Sequence, residues 1–276
     1  SEPGAGSDLA GLSTAAQRVD GGWVVEGQKV WTSYARFADY AILLARTAPE
    51  RPKHRGITCF LLDMQTPGIE VRPIRQMNGA AEFNQVFLSG VVLPDAAVLG
   101  EVNGGWAVAN TMLGSERGLV GDDWPGAGDL MEIARARGRA SEPVMRQRIA
   151  GVFVTQEILR FLDLRVQSRL GRGEPLGALA SIVNLFFAEH LRRAGEVAGS
   201  LLGGELLVAP PNVGLAGRWR FHVVTAPSVR IASGTDEIQR NILGERALGL
   251  PREPFASASP HQVKVSEDSG GNGEQP

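Results

Sequence analysis

Cysteine is almost absent from this chain. Cys59 is the single one among 276 residues, which excludes an internal disulfide framework. Histidine is scarce too: four scattered copies and one cysteine leave no cluster spaced to hold a metal. Neither sign of charge dominates, with 28 Lys and Arg against 30 Asp and Glu, so no basic stripe points to nucleic acid. No apolar run reaches the roughly 18 residues of a membrane span, and the first residues are rich in Gly, Ser and acid rather than built like a leader peptide. The expected compartment is therefore the reducing cytoplasm. A hydrophobic content of 43% allows one large core or two smaller ones. The sequence opens at Ser1, without Met, inside a tight Gly-rich stretch, and further residues are expected upstream.

The pattern changes near residue 104. Before it, short β-type runs alternate with Gly, Pro, Asp and Asn: "GWVVEGQKVW" (22–31), "YAILLART" (40–47), "GITCFLLDM" (56–64), "GIEVRPI" (68–74) and "NQVFLSGVVL" (84–93). These predict a small antiparallel, barrel-like β domain over 1–103. After it the apolar period becomes helical over 105–121, about 126–138, 142–171, 175–203 and 234–247, which predicts a helical bundle over 104–250. The class is α+β. From 251 to 276 Pro, Ser, Gly and Glu take over, a composition that does not order itself.

Three stretches carry groups suited to chemistry. "SEPGAGSD" (1–8) sets Gly4 and Gly6 beside Ser1 and Ser7; glycines let backbone approach a ligand closely, though an ordinary Gly/Pro turn reads the same way. "GQKVWTSYA" (27–35) places Trp31 beside Thr32 and Ser33, an aromatic face with polar neighbours that suits a flat ring. Taken alone, such a Trp is more often a core residue. "RIASGTDEIQRN" (230–241) is a loop-to-helix junction in which Asp236 and Glu237 suit the start of a helix, and on local grounds plain capping is the favoured reading.

Taken in order, "SEPGAGSDLAGL", "GGWVVEGQKVWTS", "GITCFLLDMQTPGIEV", "GGWAVANTMLGSERG" and "IASGTDEIQRNILGERALGLP" resemble the acyl-CoA dehydrogenase family of flavoenzymes over roughly residues 1–253. The resemblance implies a middle β domain and a C-terminal four-helix bundle holding FAD between them and across a subunit interface, with the family's N-terminal helical domain missing here. It implies that Ser1, Gly6, Ser7, Trp31, Ser33, Gly203, Gly204, Thr235 and Glu237 bind the cofactor, and that Ser7, Arg117 and Gly234 meet the acyl-CoA. It further implies a homo- or hetero-oligomer of acyl-CoA dehydrogenase subunits, electron-transfer flavoprotein as acceptor, a place in lipid metabolism and fatty acid β-oxidation, and no activity for residues 1–276 alone.

Family chemistry removes an α-proton while the β-hydrogen leaves as hydride, so it needs a base in a dry place, where burial raises a carboxylate's pKa by up to ~3–5 units. Much of the family carries that base immediately before the "GT" of the last motif. Here that position is Ser233. Branches resembling isovaleryl- and long-chain acyl-CoA dehydrogenases carry it on the first bundle helix, at the position of Glu116. Independently, Ala109, Leu113, Glu116 and Val120 recur at helical spacing, which puts a carboxylate in an apolar stripe. Pairing with Arg117 is the bland alternative, but adjacent helix residues do not face each other. The family's arginine-aromatic-glycine stretch is not recognisable in 133–151, leaving Arg135 or Arg137 as its replacement, and Ser200 stands where a glutamine often contacts adenine. These departures resemble members that assemble as unlike subunits on bulky, sometimes steroid-derived thioesters. An acyl-CoA oxidase and a non-catalytic partner subunit are the rival readings.

Overall fold

The structure is a computed structural model that describes residues 1–116, 124–210 and 213–251, without the side chains of 114–116. Arg117, Val120 and the expected disordered stretch from 252 onward lie outside the described residues.

Among the described residues seven strands form one sheet: β1 (Ala15–Val19), β2 (Gly22–Ser33), β3 (Tyr40–Arg46), β4 (Ile57–Asp63), β5 (Ile69–Pro73), β6 (Phe83–Pro94) and β7 (Val98–Leu99), in the order β5-β6-β2-β1-β3-β4-β7. Neighbours are antiparallel except at β1–β3, where Ala15 pairs with Arg46 in parallel. β1 and β7 are additions to the five strands marked by the sequence pattern. The order leaves β5 and β7 as edges, so strand pairing does not close a barrel. Residues two apart share a face. Trp23 with Val25, Leu43 with Ala45, Phe60 with Leu62, and Val86 with Leu88 thus form one core layer, and Trp23 meets Phe60 edge to face at 5.6 Å.

β4 is buried on both sides. Ile57 and Cys59 point away from that layer into a second cluster with Ala5, Leu12 and Ala109, which accounts for a run that is apolar on both faces apart from buried Thr58. Ala109 belongs to α1 (Gly105–Glu116). A Cβ on Gly105 would stand 2.6 Å from the Cys59 backbone nitrogen, so the missing side chain lets the helix start directly against the strand.

Six further helices follow among the described residues: α2 (Ala127–Ala136), α3 (Pro143–Gly171), α4 (Ala178–Leu202), α5 (Glu205–Val208), α6 (Gly214–Val229) and α7 (Asp236–Ile242), the last running into a π-type turn at Leu243–Ala247. The sequence pattern assigns no helix to 214–229, so α6 is a correction to it. The bundle core joins Leu130 and Ile133, Met145, Ile149 and Val152, Ala194, Val197 and Leu201, and the fully buried Trp219 of α6. Among the described residues no helix is long and apolar enough to cross a membrane.

Two buried histidines cross-link the bundle. The Thr155 hydroxyl donates to Val152 O at 2.9 Å and therefore accepts from His190 Nδ1 at 2.8 Å. His222 Nε2 donates to Leu191 O at 3.2 Å, and its ring stands edge-on to Trp124 and Trp219. Burial, then the charge of His222, lowers His190 to about 4, and burial lowers His222 although Leu191 O opposes it. The unfolded chain binds these protons near pH 6.5. Their contribution is complete above that pH and is lost as pH falls towards about 4. We expect the melting temperature to fall across this window, and to fall less steeply in His190→Gln; equal slopes would contradict the linkage.

Candidate active site

The opening stretch folds into a tight turn. Glu2 and Ala5 exchange backbone hydrogen bonds at 3.0 and 3.1 Å across Pro3 and Gly4, leaving Ser1, Gly6 and Ser7 exposed while Glu2 and Ala5 are buried. The Glu2 carboxylate accepts from Ser13 N at 2.6 Å, Ser13 Oγ at 2.8 Å, Thr14 N at 3.0 Å and Lys29 Nζ at 2.7 Å. Lys29 also donates to Leu44 O at 2.7 Å, and Val30 N donates to Ser1 O at 2.9 Å. Burial raises the Glu2 pKa, but the Lys29 hydrogen bond and Ser13 N–H outweigh it and hold the carboxyl at about 2. Burial pushes the Lys29 amine below its usual range despite Glu2. This ion pair fixes the first loop to β2 two residues before Trp31. Sequence reasoning missed it; the available signal was the strand's one cation, Lys29, falling next to Val30 and Trp31.

Trp31 sits at a bulge. Between Lys29↔Val86 and Thr32↔Asn84, β2 carries one residue more than β6, and Trp31 takes φ +61° with Tyr34 at +53°. Such backbone is sparsely populated for bulky residues. Trp31 is 57% exposed and meets Phe83 edge to face at 6.0 Å. Buried Asn84 holds this strand end through Thr32 O at 3.0 Å and Glu82 O at 3.1 Å, and Ser33 beside it is exposed. A large aromatic on strained backbone, open to solvent, is the opposite of a core tryptophan.

The third stretch lies towards the same end. The turn between β5 and β6 reaches the bundle where Asn78 Nδ2 donates to Thr225 Oγ1 at 3.1 Å, one helical turn before α6 ends and the loop 230–235 begins. In that loop Ser233 and Gly234 both have positive φ, +53° and +97°. Thr235 Oγ1 accepts from Ile238 N at 3.3 Å, so it caps α7. Glu237 is exposed, and its own backbone N–H, then Thr235, lowers its carboxyl pKa.

Gly203 and Gly204 are elsewhere. His222 of α6 lies opposite Leu191 of α4, and Trp219 packs with Leu201 and Leu202, so α6 runs back along α4. The C-terminus of α6 and the C-terminus of α4 are then roughly 28 Å apart at 1.5 Å per residue. Around this far end Arg139 donates to Ser200 O at 2.7 Å and Arg148 to Ser200 Oγ at 2.8 Å, while Arg137 pairs with Glu205. Two open hollows, about 600 Å³ between α3 and α4 and about 630 Å³ beside β1, are lined by none of Trp31, Ser33 or Thr235. Glu116 is the last residue of α1; Ala109 of its stripe is buried and Leu113 half-buried, and the Glu116 side chain, like Arg117, lies outside the described residues.

Two separate family models match in series: the middle domain of acyl-CoA dehydrogenases over residues 1–91 and their C-terminal domain over 103–248. The acyl-CoA dehydrogenase FadE34 of Mycobacterium tuberculosis is 40% identical over 253 residues, 91% of this chain and 35% of its own length. The chain thus spans about a third of that relative. Among solved structures, the steroid ACAD Tcur3481-Tcur3483 is 30% identical with a TM-score of 0.81, covering 92% of this chain and 67% of that one. The ChsE4-ChsE5 complex of Mycobacterium tuberculosis is 31% identical with a TM-score of 0.80, covering 92% and 68%. With both halves matched in order, and with a sheet and bundle of the same shape, the chain belongs to the acyl-CoA dehydrogenase family.

Proposed function

We propose that this chain forms the redox core of an enzyme that desaturates the α,β-bond of an acyl-CoA thioester, with FAD as cofactor and Glu116 as the base. The observation that carries the reading is the exposed Trp31, held on a bulge at φ +61° beside Ser33 and the pinned loop of Ser1, Gly6 and Ser7. Its apolar face and neighbouring hydroxyls fit the chemistry of an isoalloxazine ring. When bound, the flavin supplies the acceptor for the β-hydrogen. Glu116 takes the α-proton, and Ser7, Arg117 and Gly234 orient the thioester. Ser233, at the other family position for the base, offers a hydroxyl of far too little basicity, which favours Glu116.

Gly203–Gly204 follow the end of α4, roughly 28 Å from the end of α6 that leads into the Thr235 loop, which supports a cofactor site completed by a second subunit. The hetero-complex among the structural relatives favours an unlike partner, and the steroid ACAD favours a bulky, steroid-derived acyl group. Electron-transfer flavoprotein is the proposed acceptor. The test is product analysis: the full-length protein, with its partner subunit, should convert a bulky acyl-CoA into a product two hydrogens lighter when given an artificial electron acceptor. Turnover with oxygen alone would favour the oxidase reading; binding of flavin without turnover of any thioester would leave the non-catalytic subunit.

Trp31→Ala should weaken FAD by roughly tenfold or more, because an aromatic contact with a flat ring contributes about 1–3 kcal/mol, by analogy with base stacking on aromatic side chains. Flavin retained per protein after gel filtration measures this, and parental retention would remove Trp31 from the ring site.

A further inference from the structure

The loop between α6 and α7 holds two consecutive residues in left-handed conformation, Ser233 at φ +53° and Gly234 at +97°. For a non-glycine residue such backbone is strained and persists only where neighbours over-determine it. Here the neighbours are identifiable. Arg230 and Asp236 close the loop from its two ends: Arg230 Nε and Nη2 lie 2.7 and 2.6 Å from Asp236 Oδ2, and Asp236 N donates to Arg230 O at 3.0 Å. Asp236 is only 5% exposed, so this contact bears on a desolvated charge. From the helix side, fully buried Gln239 donates through Nε2 to Ser233 O at 2.8 Å and to Gly234 O at 3.3 Å. A Cβ on Gly234 would stand 2.8 Å from that same nitrogen.

Gln239 therefore sets the direction of two peptide planes. In a trans peptide the C=O and the following N–H point opposite ways. With the carbonyls of Ser233 and Gly234 turned to Gln239, the N–H groups of Gly234 and Thr235 are turned away from it, as a pair of adjacent donors.

We propose that Gln239, backed by the Arg230–Asp236 pair, is a positioning residue: it fixes the Ser233–Gly234–Thr235 backbone so that two N–H donors and the Thr235 side chain meet a hydrogen-bond-accepting edge of the bound flavin or thioester. This rests on the functional reading above. Neither Gln239 nor Arg230 touches the reacting atoms; both act through the loop.

The test uses the full-length protein and two independent readouts. Gln239→Met keeps the volume and removes both donors. Amide exchange over residues 230–236 should accelerate, and kcat per bound flavin should fall about 10- to 100-fold, the scale on which small misplacements act, with KM for the acyl-CoA changed less than about twofold. Arg230→Ala should reproduce the loss, and Arg230→Lys should recover most of it. Unchanged exchange would overturn the claim that Gln239 holds the loop. Faster exchange with parental kcat per flavin, or a kcat loss fully explained by lost flavin, would overturn the positioning role. A parent that neither binds flavin nor turns over any thioester would instead fail the functional reading, and the positioning role with it, while the exchange result would still decide whether Gln239 holds the loop.

Discussion

Glu116→Gln in the full-length protein should lower acyl-CoA turnover by roughly two to four orders of magnitude, the usual contribution of a general base, while FAD stays bound. The amide keeps the size of the side chain and removes its ability to accept a proton. Retained flavin is the informative half of the result, because it separates loss of the base from loss of the site. Position singles out Glu116: α1 starts against β4 through Gly105 and buries Ala109, and Glu116 follows Ala109 by seven residues, two turns along the same face. No other carboxylate is proposed for the role, since the loop that carries the base in much of the family has Ser233. Moving the base back, as Ser233→Glu in the Glu116→Gly background, should recover a small part of the rate. A Glu116→Gln protein that kept most of its rate would remove the assignment.

The largest expected effect on stability comes from Lys29→Met. This leaves the Glu2 carboxylate, 3% exposed at its side chain, without its cation, and stranding one partner of a buried pair costs about 3–5 kcal/mol. Because the pair also ties the first loop to the strand that carries Trp31, flavin affinity should fall with stability. The same pair has a pH signature. The Glu2 carboxyl is held at about 2 against an ordinary 4.5, so its contribution is complete above about pH 4.5 and is lost as pH falls towards 2. Denaturant unfolding at neutral pH measures the first effect. A Lys29→Met protein within about 1 kcal/mol of its parent would show that Glu2 finds other solvation, as many exposed pairs do.

Much of this architecture was legible in the residues. β-type runs between turn residues marked β2 to β6, and the mostly apolar run of β4 reflects its packing on both sides. β1 and β7 escaped: "AAQRV" is short, with only Ala16 buried, and β7 has two residues. α6 escaped for a different reason. Its buried face is built from Gly217, Trp219, His222 and Ala226, only one of them a large apolar residue, so no hydrophobic stripe announces it; the groove it fills is lined by Ala194, Gly195 and Ala198 of α4. At the site, Trp31 and Ser33 were visible as chemistry but their setting was not. The bulge needs the partner strand, and the pinning of Ser1 by Glu2 and Lys29 joins residues 27 apart. Gln239 was hidden by its own motif, since a polar residue on a short amphipathic helix looks solvent-facing until its two carbonyl partners are seen.

The central claim is that this chain builds a flavin site that oxidises acyl-CoA thioesters, and anaerobic titration of the full-length protein with its partner subunit tests it most directly. A panel of CoA thioesters, from short straight chains to steroid-derived side chains, is added to the flavin-loaded protein while the visible flavin band is followed. The account predicts stoichiometric bleaching by at least one bulky thioester in the parent and none in Glu116→Gln. Flavin that stays oxidised in the parent with every thioester, or bleaches equally in Glu116→Gln, would contradict it.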